Sequence, residues 1–259
     1  MATILFDQIV FGPVHSRRLG TSLGINLLPP NGKLCSFDCL YCECGLNSQH
    51  KGGLIPKAED VKTALEAKLK FLKSKKITPD VITFAGNGEP TLHPEFSRII
   101  DDTIALRDAW FPGAKISVLS NATQLHKPEV HKALLKVENP ILKLDSSFNE
   151  TVHILDRPVS STYTVEKVVE QLKSFNGRLI IQTMFIRGRY EGKFFDNTTE
   201  TEVDALIKII SEIAPESVMV YTIDRETPIS TLQKISLKEL NQIASKIRKI
   251  TGFPVSVAG

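Results

Sequence analysis

Residues 35–42 read Cys-Ser-Phe-Asp-Cys-Leu-Tyr-Cys, which places Cys35, Cys39 and Cys42 in one short segment. Three thiolates in a single loop can bind three irons of a cubane [4Fe–4S] cluster and leave the fourth iron without a protein ligand. An open iron can bind a cofactor or a substrate directly, whereas a cluster with four cysteine ligands is closed. The spacing therefore predicts Cys35, Cys39 and Cys42 as the metal ligands of a reactive cluster.

The remaining cysteine, Cys44, lies within the same ten residues. Disulfides between such close neighbours would close only tiny loops, and clustered cysteines of a cytosolic protein more often bind metal. A zinc site that combines the three cysteines with Cys44 or His50 is the alternative. Structural zinc usually needs two separated cysteine pairs, and this sequence has one group, so the pattern favours the cluster.

Short apolar runs alternate with longer amphipathic segments on either side of this loop. The apolar runs predict strands at 22–28, 81–85, 115–119, 141–145, 179–186, 217–223 and 253–257. Helical spacing predicts helices at 58–73, 94–107, 128–137, 164–175, 201–213 and 237–250. Six strand-then-helix units favour an α/β fold with a parallel sheet, either a partial barrel or an open doubly wound sheet. We expect one domain over 1–259, with an N-terminal extension at 1–21 and a barrel core at 22–259.

Polar residues follow these strands at their carboxyl ends, where parallel folds gather their binding groups. Residues 86–90, Gly-Asn-Gly-Glu-Pro, follow the second strand, and Ser120 and Asn121 end the third. Glycines allow close approach of a backbone to a ligand, and the Glu89 carboxylate can hold a cationic group. A plain turn or helix cap is the alternative at these positions.

Three further polar residues, Asp145, Ser147 and Gln182, lie in or just after the fourth and fifth strands. Gln182 interrupts an apolar run, and a buried polar group needs a hydrogen-bond partner. That partner is either a ligand or another group of the barrel. Lys143 becomes a candidate substrate contact if its strand turns it inward.

Arginines near the predicted loops form a separate group of candidates: Arg17, Arg18, Arg157 and Arg225. A guanidinium group can pair with an anionic substrate, and two arginines next to the cysteine segment are well placed for this. A solvated surface position is the alternative for each of them.

Composition sets broad limits on the function. The 259 residues carry a formal net charge of +3 and are 42% hydrophobic, as in ordinary globular proteins. This mild positive charge neither demands nor excludes a nucleic-acid partner. The first twenty residues lack the pattern of a secretory signal, and no apolar stretch reaches 18 residues, so we expect a cytoplasmic protein without a membrane span.

The cysteine spacing, with Tyr41 before the third cysteine, resembles the radical S-adenosylmethionine (SAM) superfamily. Residues 86–90 resemble the GGEP motif of that family. The resemblance implies a partial (β/α)6 barrel with a [4Fe–4S] cluster and SAM as cofactors. It also implies that the reduced cluster cleaves SAM to a 5′-deoxyadenosyl radical, which abstracts a substrate hydrogen. The expected cofactor-binding residues are Tyr41, Gly86, Gly88, Glu89, Pro90, Ser120, Asn121, Asp145, Ser147 and Gln182.

Within the superfamily, residues 11–29 and the segments LDSSFNETVHILDRP, QTMFIRG and VYTIDRETP resemble Fe–S oxidoreductases related to the wybutosine-synthesising tRNA enzymes. This branch implies RNA, a nucleoside or a small molecule as substrate, and flavodoxin or ferredoxin as electron donor. No cysteine precedes Cys35, so we expect a single cluster. Two alternatives remain from the sequence: an activase that installs a radical on a partner protein, and a non-catalytic metal-binding protein.

Overall fold

The computed structural model describes residues 4–16, 18–49 and 53–259. Its strands are β1 (Val10–Ser16), β2 (Gly20–Ile25), β3 (Val81–Phe84), β4 (Lys115–Ser120), β5 (Asn139–Lys143), β6 (Ile180–Met184), β7 (Ile186–Tyr190), β8 (Lys193–Asp196), β9 (Ser217–Tyr221), β10 (Gln233–Lys234) and β11 (Val255–Ala258). Its α-helices are α1 (Ala58–Ser74), α2 (Phe96–Trp110), α3 (Pro128–Leu134), α4 (Asn149–Leu155), α5 (Val165–Lys173), α6 (Glu200–Ile213) and α7 (Leu237–Thr251).

A parallel sheet forms the centre of the fold. Its strands have the order β1-β2-β3-β4-β5-β6-β9-β11, and β1 pairs antiparallel with β2 at one edge while the others run parallel. Six β/α units, from β2-α1 to β9-α7, precede the last strand, β11. The sheet is curled into a half-barrel. The predicted α/β fold with a partial (β/α)6 barrel is therefore confirmed.

Amphipathic helices cover the outer face of the sheet and form the main core with it. In α5 the buried residues Val165, Val168, Val169 and Leu172 recur at helical spacing and join this core. Burial of each such side chain stabilises the fold by about 1.5–3 kcal/mol. Within the described residues, no helix is long and apolar enough to cross a membrane.

The inner face of the sheet carries a smaller apolar cluster. Ile141, Ile180 and Met219 come from β5, β6 and β9, and Leu19 and Leu119 pack against them. Leu19 belongs to the turn between β1 and β2, so this hairpin contributes to the inside of the barrel. The interior is thus filled with apolar side chains at the level of this cluster.

Side chains at the helix ends set the boundaries of several helices. Thr164, Thr199 and Ser236 accept hydrogen bonds from backbone N–H groups in the first turns of α5, α6 and α7. Ala214 and Gly252 end α6 and α7 in the left-handed conformation.

The predicted strand at 179–186 is interrupted. β6 ends at Met184, and the N–H of Ile186 donates to Asn197 Oδ1 at 2.8 Å and not to the main sheet. From Ile186 the chain enters a second sheet with the order β10-β7-β8. The apolar run continues across this junction, so the sequence pattern alone does not mark the break.

The sequence prediction lacked β1, α4 and the strands of the second sheet, β7, β8 and β10. β1 lies within the predicted N-terminal extension, where Gly12, Pro13 and polar residues hide its strand character. α4 has seven residues, too few for a helical period to stand out. Both matter for the site, because β1 leads into the Leu19 turn and the end of α4 contacts the cysteine loop.

Asn197 links the two sheets. Its side chain is 1% exposed, and Nδ2 donates to the carbonyl oxygens of Asp145 (2.9 Å) and Met184 (2.7 Å) while Oδ1 accepts from Ile186. We expect Asn197→Ala to lower the free energy of unfolding by about 3 kcal/mol, since buried backbone groups lose their partners. Urea denaturation measures this, with exposed Asn241→Ala as the matched control, for which a change within about 0.5 kcal/mol is expected. Equal stability of the two variants would contradict the linking role.

Candidate metal centre and its cavity

A cavity of about 300 Å³ opens at the carboxyl ends of the parallel strands. Most of the predicted site residues reach its wall: Cys35, Cys39, Tyr41, Cys42, Gly86, Gly88, Glu89, Ser120, Asn121 and Gln182. Lys143 and Arg18 line it as well. These residues thus lie together at the carboxyl ends of the parallel strands, where such folds place their binding groups.

The cysteine loop is held by backbone pairing. Leu34 N donates to Asn87 O at 2.9 Å, and Glu89 N donates to Leu34 O at 3.0 Å. On the other side, Leu40 N donates to the carbonyl of Leu155 at the end of α4, at 2.9 Å. Backbone hydrogen bonds at Leu34 and Leu40 thus hold the cysteine segment against two neighbouring β/α units.

None of the four cysteines, all of which lie in the described part of the chain, forms a disulfide. Cys35, Cys39 and Cys42 line the cavity, whereas Cys44 is buried behind it and lies 3.4 Å from Gly86 O through its sulfur. Within 4–16, 18–49 and 53–259, no three His, Cys, Asp or Glu side chains converge to hold a single metal ion. The cysteine ligands of a cubane bind different irons and need no such convergence. His50, the alternative zinc ligand, lies outside the described residues.

Burial dominates the protonation of these thiols. It raises the pKa of Cys35 to about 12 and also raises that of Cys39 well above its usual value. The pKa of Cys42 is lowered to about 6 because the Cys44 thiol donates a hydrogen bond to it, and the pKa of Cys44 rises accordingly. Thiolates are the ligating form, so a bound metal would replace the protons that burial keeps on Cys35 and Cys39.

A buried lysine lies beneath the loop. The side chain of Lys33 is 0% exposed, and its Nζ donates to Gly45 O at 2.7 Å and lies 3.7 Å from Asp38. Burial lowers its pKa, but Cys42, Cys35 and Cys39 outweigh this and raise the pKa above its usual value. Lys33 thus puts a positive charge beside sulfurs that become anionic when they bind metal.

Glu89 is 2% exposed and held by groups of its own protein. One carboxylate oxygen accepts from Thr91 Oγ1 (2.5 Å) and Ser120 Oγ (2.8 Å), and the other accepts from Asn121 N at 2.6 Å. Burial raises the pKa of Glu89, and these hydrogen bonds counter that rise. Among the described residues, no Lys, Arg or His nitrogen forms an ion pair with it. A buried carboxylate on the cavity wall thus has hydrogen bonds but no cation.

Gly86 and Gly88 allow the chain after β3 to pack closely against Asn26 and Leu34. Both have φ in the region that favours glycine, at 151° and 135°. A Cβ on Gly86 would lie 2.5 Å from Asn26 Oδ1, and one on Gly88 would lie 1.9 Å from Leu34 O. The glycines therefore bring the cysteine loop against β3, while their backbone lines the cavity.

Asn121 connects the end of β4 to the cysteine loop. Its Nδ2 donates to Ser36 Oγ at 2.9 Å and lies 3.7 Å from Cys35 Sγ. Its Oδ1 accepts from Thr123 N at 3.1 Å, which makes a turn of the kind predicted as the alternative. Asn121 therefore has both a turn role and a position on the cavity wall.

Lys143 lies at the centre of a buried polar cluster. Its Nζ bonds to Tyr41 Oη and lies 3.3 Å from Asp145 and 3.5 Å from Asp156. Tyr41 also donates to Asp145, and Cys39 Sγ donates to Asp156 at 3.3 Å. Burial lowers the pKa of Lys143, but Asp145, Cys39 and Asp156 outweigh it and raise the pKa well above its usual value. The sequence did not determine which way the Lys143 side chain points, and the structure shows that it points into the barrel. There its Nζ lies 3.7 Å from Cys39 Sγ and so connects this cysteine to β5.

Gln182 has both of the roles that the sequence left open. Its Nε2 donates to Tyr221 Oη at 2.7 Å, whereas its Oε1 is buried without a hydrogen-bond partner among the described residues. Gln182 is 8% exposed and lines the cavity. An internal hydrogen bond therefore satisfies Nε2 of Gln182 but leaves Oε1 available to a ligand in the cavity.

Three predicted site residues do not line the cavity. Pro90 is buried behind Glu89, and Asp145 is 1% exposed and bonds to Tyr41 and Met184 N. Ser147 lies beyond the end of β5, and its buried Oγ has no hydrogen-bond partner among the residues that the structure describes. Asp145 belongs to the supporting cluster around Lys143, and no contact connects Ser147 with the described cavity wall.

The candidate arginines differ in their positions. Arg18 lines the cavity, and Arg225 does so at the rim, where it pairs with Glu43 at 2.7 Å. Arg157 pairs with Asp38 at 3.4 Å and is not part of the wall. Arg17 lies outside the described residues.

Sequence reasoning missed Lys33, Asp156 and Tyr221. Asp156 follows a helix that was not predicted, so no strand end marked it. Lys33 precedes the cysteine segment directly, and a positive charge beside anionic thiolates is a signal that could have found it. Tyr221 is the last residue of β9, and the carboxyl-end rule would have included it.

The Lys143 cluster generates a stability prediction. Lys143→Met leaves Asp145 and Asp156 buried without their cation, so we expect the free energy of unfolding to fall by about 3 kcal/mol. Burial raises the pKa of Asp156 to about 7. The deficit should grow as the pH rises above the ordinary Asp pKa of about 4, because the Asp156 carboxyl without its cation then either ionises at a cost or retains a proton that the unfolded chain has lost.

Urea denaturation at several pH values measures this effect. Lys173→Met is the control, because Lys173 lies on the surface and pairs with Glu170 at 3.1 Å. A small, pH-independent change in both variants would show that Lys143 does not balance the two carboxylates.

Comparison with known proteins assigns the chain to a family. The sequence profile of the Radical SAM superfamily matches residues 32–195. The chain is 31% identical over 237 residues to a Brachyspira hyodysenteriae protein named GTPase Obg, covering 90% of this chain but 32% of that protein. It is 30% identical over 239 residues to a UPF0026 protein of Helicobacter pylori strain J99, covering 90% of this chain and 71% of that protein.

Solved structures share the fold. Streptococcus suis SuiB bound to S-adenosylmethionine matches with a TM-score of 0.65 at 16% identity, covering 90% of this chain and 50% of SuiB. TYW1 with a lysine–pyruvate adduct matches with a TM-score of 0.62 at 14% identity, covering 90% of this chain and 75% of TYW1. TYW1 is a wybutosine-synthesising enzyme, in line with the predicted resemblance. The chain belongs to the Radical SAM superfamily, and within it to the group of the UPF0026 proteins.

Proposed function

We propose that the protein is a radical SAM enzyme with one [4Fe–4S] cluster on Cys35, Cys39 and Cys42. The observation that carries the proposal is that these three free thiols line one cavity together with the buried carboxylate of Glu89. The thiols and the carboxylate come from different β/α units. Membership of the Radical SAM superfamily supports a common role for them in binding a cluster and SAM.

The donor set fits the cluster. The three thiols share one wall of the cavity, and Lys33 supplies a buried positive charge beneath them. Cys44 lies behind this wall against Gly86, so we do not assign it as a ligand. Three protein ligands leave one iron to coordinate a cofactor from the cavity side.

The cavity also fits SAM. The amino group of SAM is cationic, and Glu89 is a buried carboxylate on the wall without a cation among the described residues. Ser120 and Asn121 orient Glu89 and lie beside it, and we assign to them the neighbouring polar groups of the cofactor. The backbone of Gly86 and Gly88 completes this side of the wall.

When bound, the cluster supplies the electron that cleaves the sulfonium of SAM to a 5′-deoxyadenosyl radical for hydrogen abstraction. The chain's own residues bind, orient and shield. Tyr41 and Lys143 anchor the wall beside Cys39, and the Glu43–Arg225 ion pair lies at the rim. The apolar cluster around Ile141 fills the barrel below the cavity and keeps water out from that side.

The substrate belongs to the finer part of the proposal. The likeness to TYW1 supports the candidates drawn from the sequence, which are RNA, a nucleoside or a small molecule. We assign the electron supply to flavodoxin or ferredoxin and the location to the cytoplasm, as for the sequence prediction. A single domain over residues 1–259 is part of the same proposal.

The direct test of function is anaerobic. The protein is reconstituted with iron and sulfide, reduced with dithionite and mixed with SAM, and 5′-deoxyadenosine is quantified by chromatography. Formation of 5′-deoxyadenosine that requires both the cluster and the reductant supports the proposal. A protein that loads the cluster but releases no 5′-deoxyadenosine, or one that takes up only zinc, would refute it.

Cysteine variants test the ligand assignment. We expect Cys35→Ala, Cys39→Ala and Cys42→Ala each to lose the cluster, because each removes one iron ligand. Cys44→Ala is the matched control and should retain full iron and sulfide content with unchanged visible absorbance. Loss of iron in Cys44→Ala would show that a fourth cysteine takes part in binding.

Glu89→Gln tests the carboxylate. The change removes the negative charge while keeping the shape, so we expect the affinity for SAM to fall by about tenfold to hundredfold, the usual effect of a lost charged hydrogen bond. Iron content should stay at the wild-type level. Equilibrium dialysis with labelled SAM measures the affinity. The new amide can place an N–H group opposite the N–H of Asn121, which would destabilise the fold, so thermal denaturation is the control for folding. Wild-type affinity in a folded variant would remove Glu89 from the cofactor site.

A further inference from the structure

Arg18 reaches the cavity from the opposite end of the barrel. It precedes Leu19 in the turn between β1 and β2, and Leu19 packs against the apolar cluster that fills the barrel interior. The guanidinium carbon of Arg18 lies 4.8 Å from the centre of the Tyr221 ring, and Arg18 lines the cavity. The side chain thus extends into the cavity floor and stacks on the last residue of β9.

This guanidinium is incompletely paired. Its Nη1 is buried without a hydrogen-bond partner, and within the described residues no carboxylate forms an ion pair with it. The other arginine of the cavity, Arg225, pairs with Glu43 at the exposed rim. A buried N–H of a cation without an acceptor is costly, and a ligand that enters the cavity can supply that acceptor.

Gln182 presents the complementary group to the same floor. Its Oε1 is a buried acceptor without a donor among the described residues, and its Nε2 is held by Tyr221 Oη at 2.7 Å. Tyr221 therefore touches both Arg18 and Gln182 and brings the two unsatisfied atoms to one region. An unsatisfied donor and an unsatisfied acceptor line the same cavity wall.

The net charge at the cavity floor indicates the charge of the ligand that can bind there. Lys143, another cation of the described wall, has a side chain that is 14% exposed and is already balanced by Asp145 and Asp156. Arg18 therefore leaves a single positive charge, which matches a carboxylate with one negative charge. A phosphate with nearly two negative charges would need a second cation. Glu89 lies on the β3 and β4 side with the cysteine loop, so this floor, on the β6 and β9 side, is separate from the proposed position of the methionine group.

We propose that Arg18 and Gln182 form a substrate subsite for a carboxylate whose neighbouring atom carries an O–H or N–H donor. The carboxylate accepts from Arg18 Nη1, and the adjacent donor bonds to Gln182 Oε1. The substrate is accordingly a small organic acid of the hydroxy-acid or amino-acid kind. This inference rests on the proposed function, because it names the substrate class of the same cavity.

The test uses reconstituted, cluster-loaded protein with lactate as the probe, compared with propionate and inorganic phosphate. Lactate has the adjacent hydroxyl, and propionate lacks it. Binding is measured by ligand-observed NMR at low ionic strength in wild type, Arg18→Gln, Gln182→Met and the control Arg98→Gln. Arg98 is an exposed arginine of α2 that pairs with Glu59 at 3.0 Å and does not line the cavity. Iron content and the dithionite-driven formation of 5′-deoxyadenosine in wild type are recorded separately, so failure of the proposed function is distinguishable from failure of this subsite.

We expect wild type to bind lactate more tightly than propionate and phosphate. Arg18→Gln should weaken lactate binding by about tenfold to hundredfold, as expected for loss of a charged hydrogen bond. Gln182→Met should remove the preference for lactate over propionate, and Arg98→Gln should bind lactate as wild type does. The proposal is overturned if wild type binds no lactate, if Arg18→Gln binds it equally well, or if phosphate binds more tightly.

Discussion

The backbone pairing of Leu34 with Gly88 is the contact on which the site depends. It joins the cysteine loop to the end of β3, so that Cys35 lies beside Asn121 and within the same cavity as Glu89. The pairing is possible because position 88 has no side chain, since a Cβ there would lie 1.9 Å from Leu34 O. The glycine that a sequence motif associates with a ligand is thus first required by the protein's own packing.

A second constraint is electrostatic. Carboxylates and thiols lie close together in and behind the cavity wall, and lysine side chains of the same chain offset most of their negative charge. Lys143 offsets Asp145 and Asp156, and Lys33 lies beneath the cysteine loop. Of the charged residues that line the described cavity, two have no ion-pair partner: Glu89 on the β3 and β4 side and Arg18 on the floor. A charge shielded from water needs a partner, and this is the physical basis of the two ligand positions proposed above.

The fold, and the position of Cys35, Cys39 and Cys42 on one cavity wall, could be predicted from the sequence because both follow from local patterns. Apolar runs marked the parallel strands, and their carboxyl ends brought Glu89 and Asn121 to the cavity as expected. The pattern could not reveal that Asp145 supports Tyr41 from behind the wall, or that Arg18 enters through the floor, because both depend on contacts between distant strands. It also missed α4 and the break at Phe185, where an isolated side chain, Asn197, redirects the backbone.

The central claim is that three cysteines hold a cluster whose fourth iron is open to SAM. Electron–nuclear double resonance on the reduced cluster, with SAM labelled with ¹⁵N at the amino group, tests it most directly. The account predicts a ¹⁵N hyperfine coupling that appears on adding labelled SAM to wild type, because the amino nitrogen then coordinates an iron. A reduced cluster whose spectrum is unchanged by SAM, with no nitrogen coupling, would contradict the account and indicate a closed metal site.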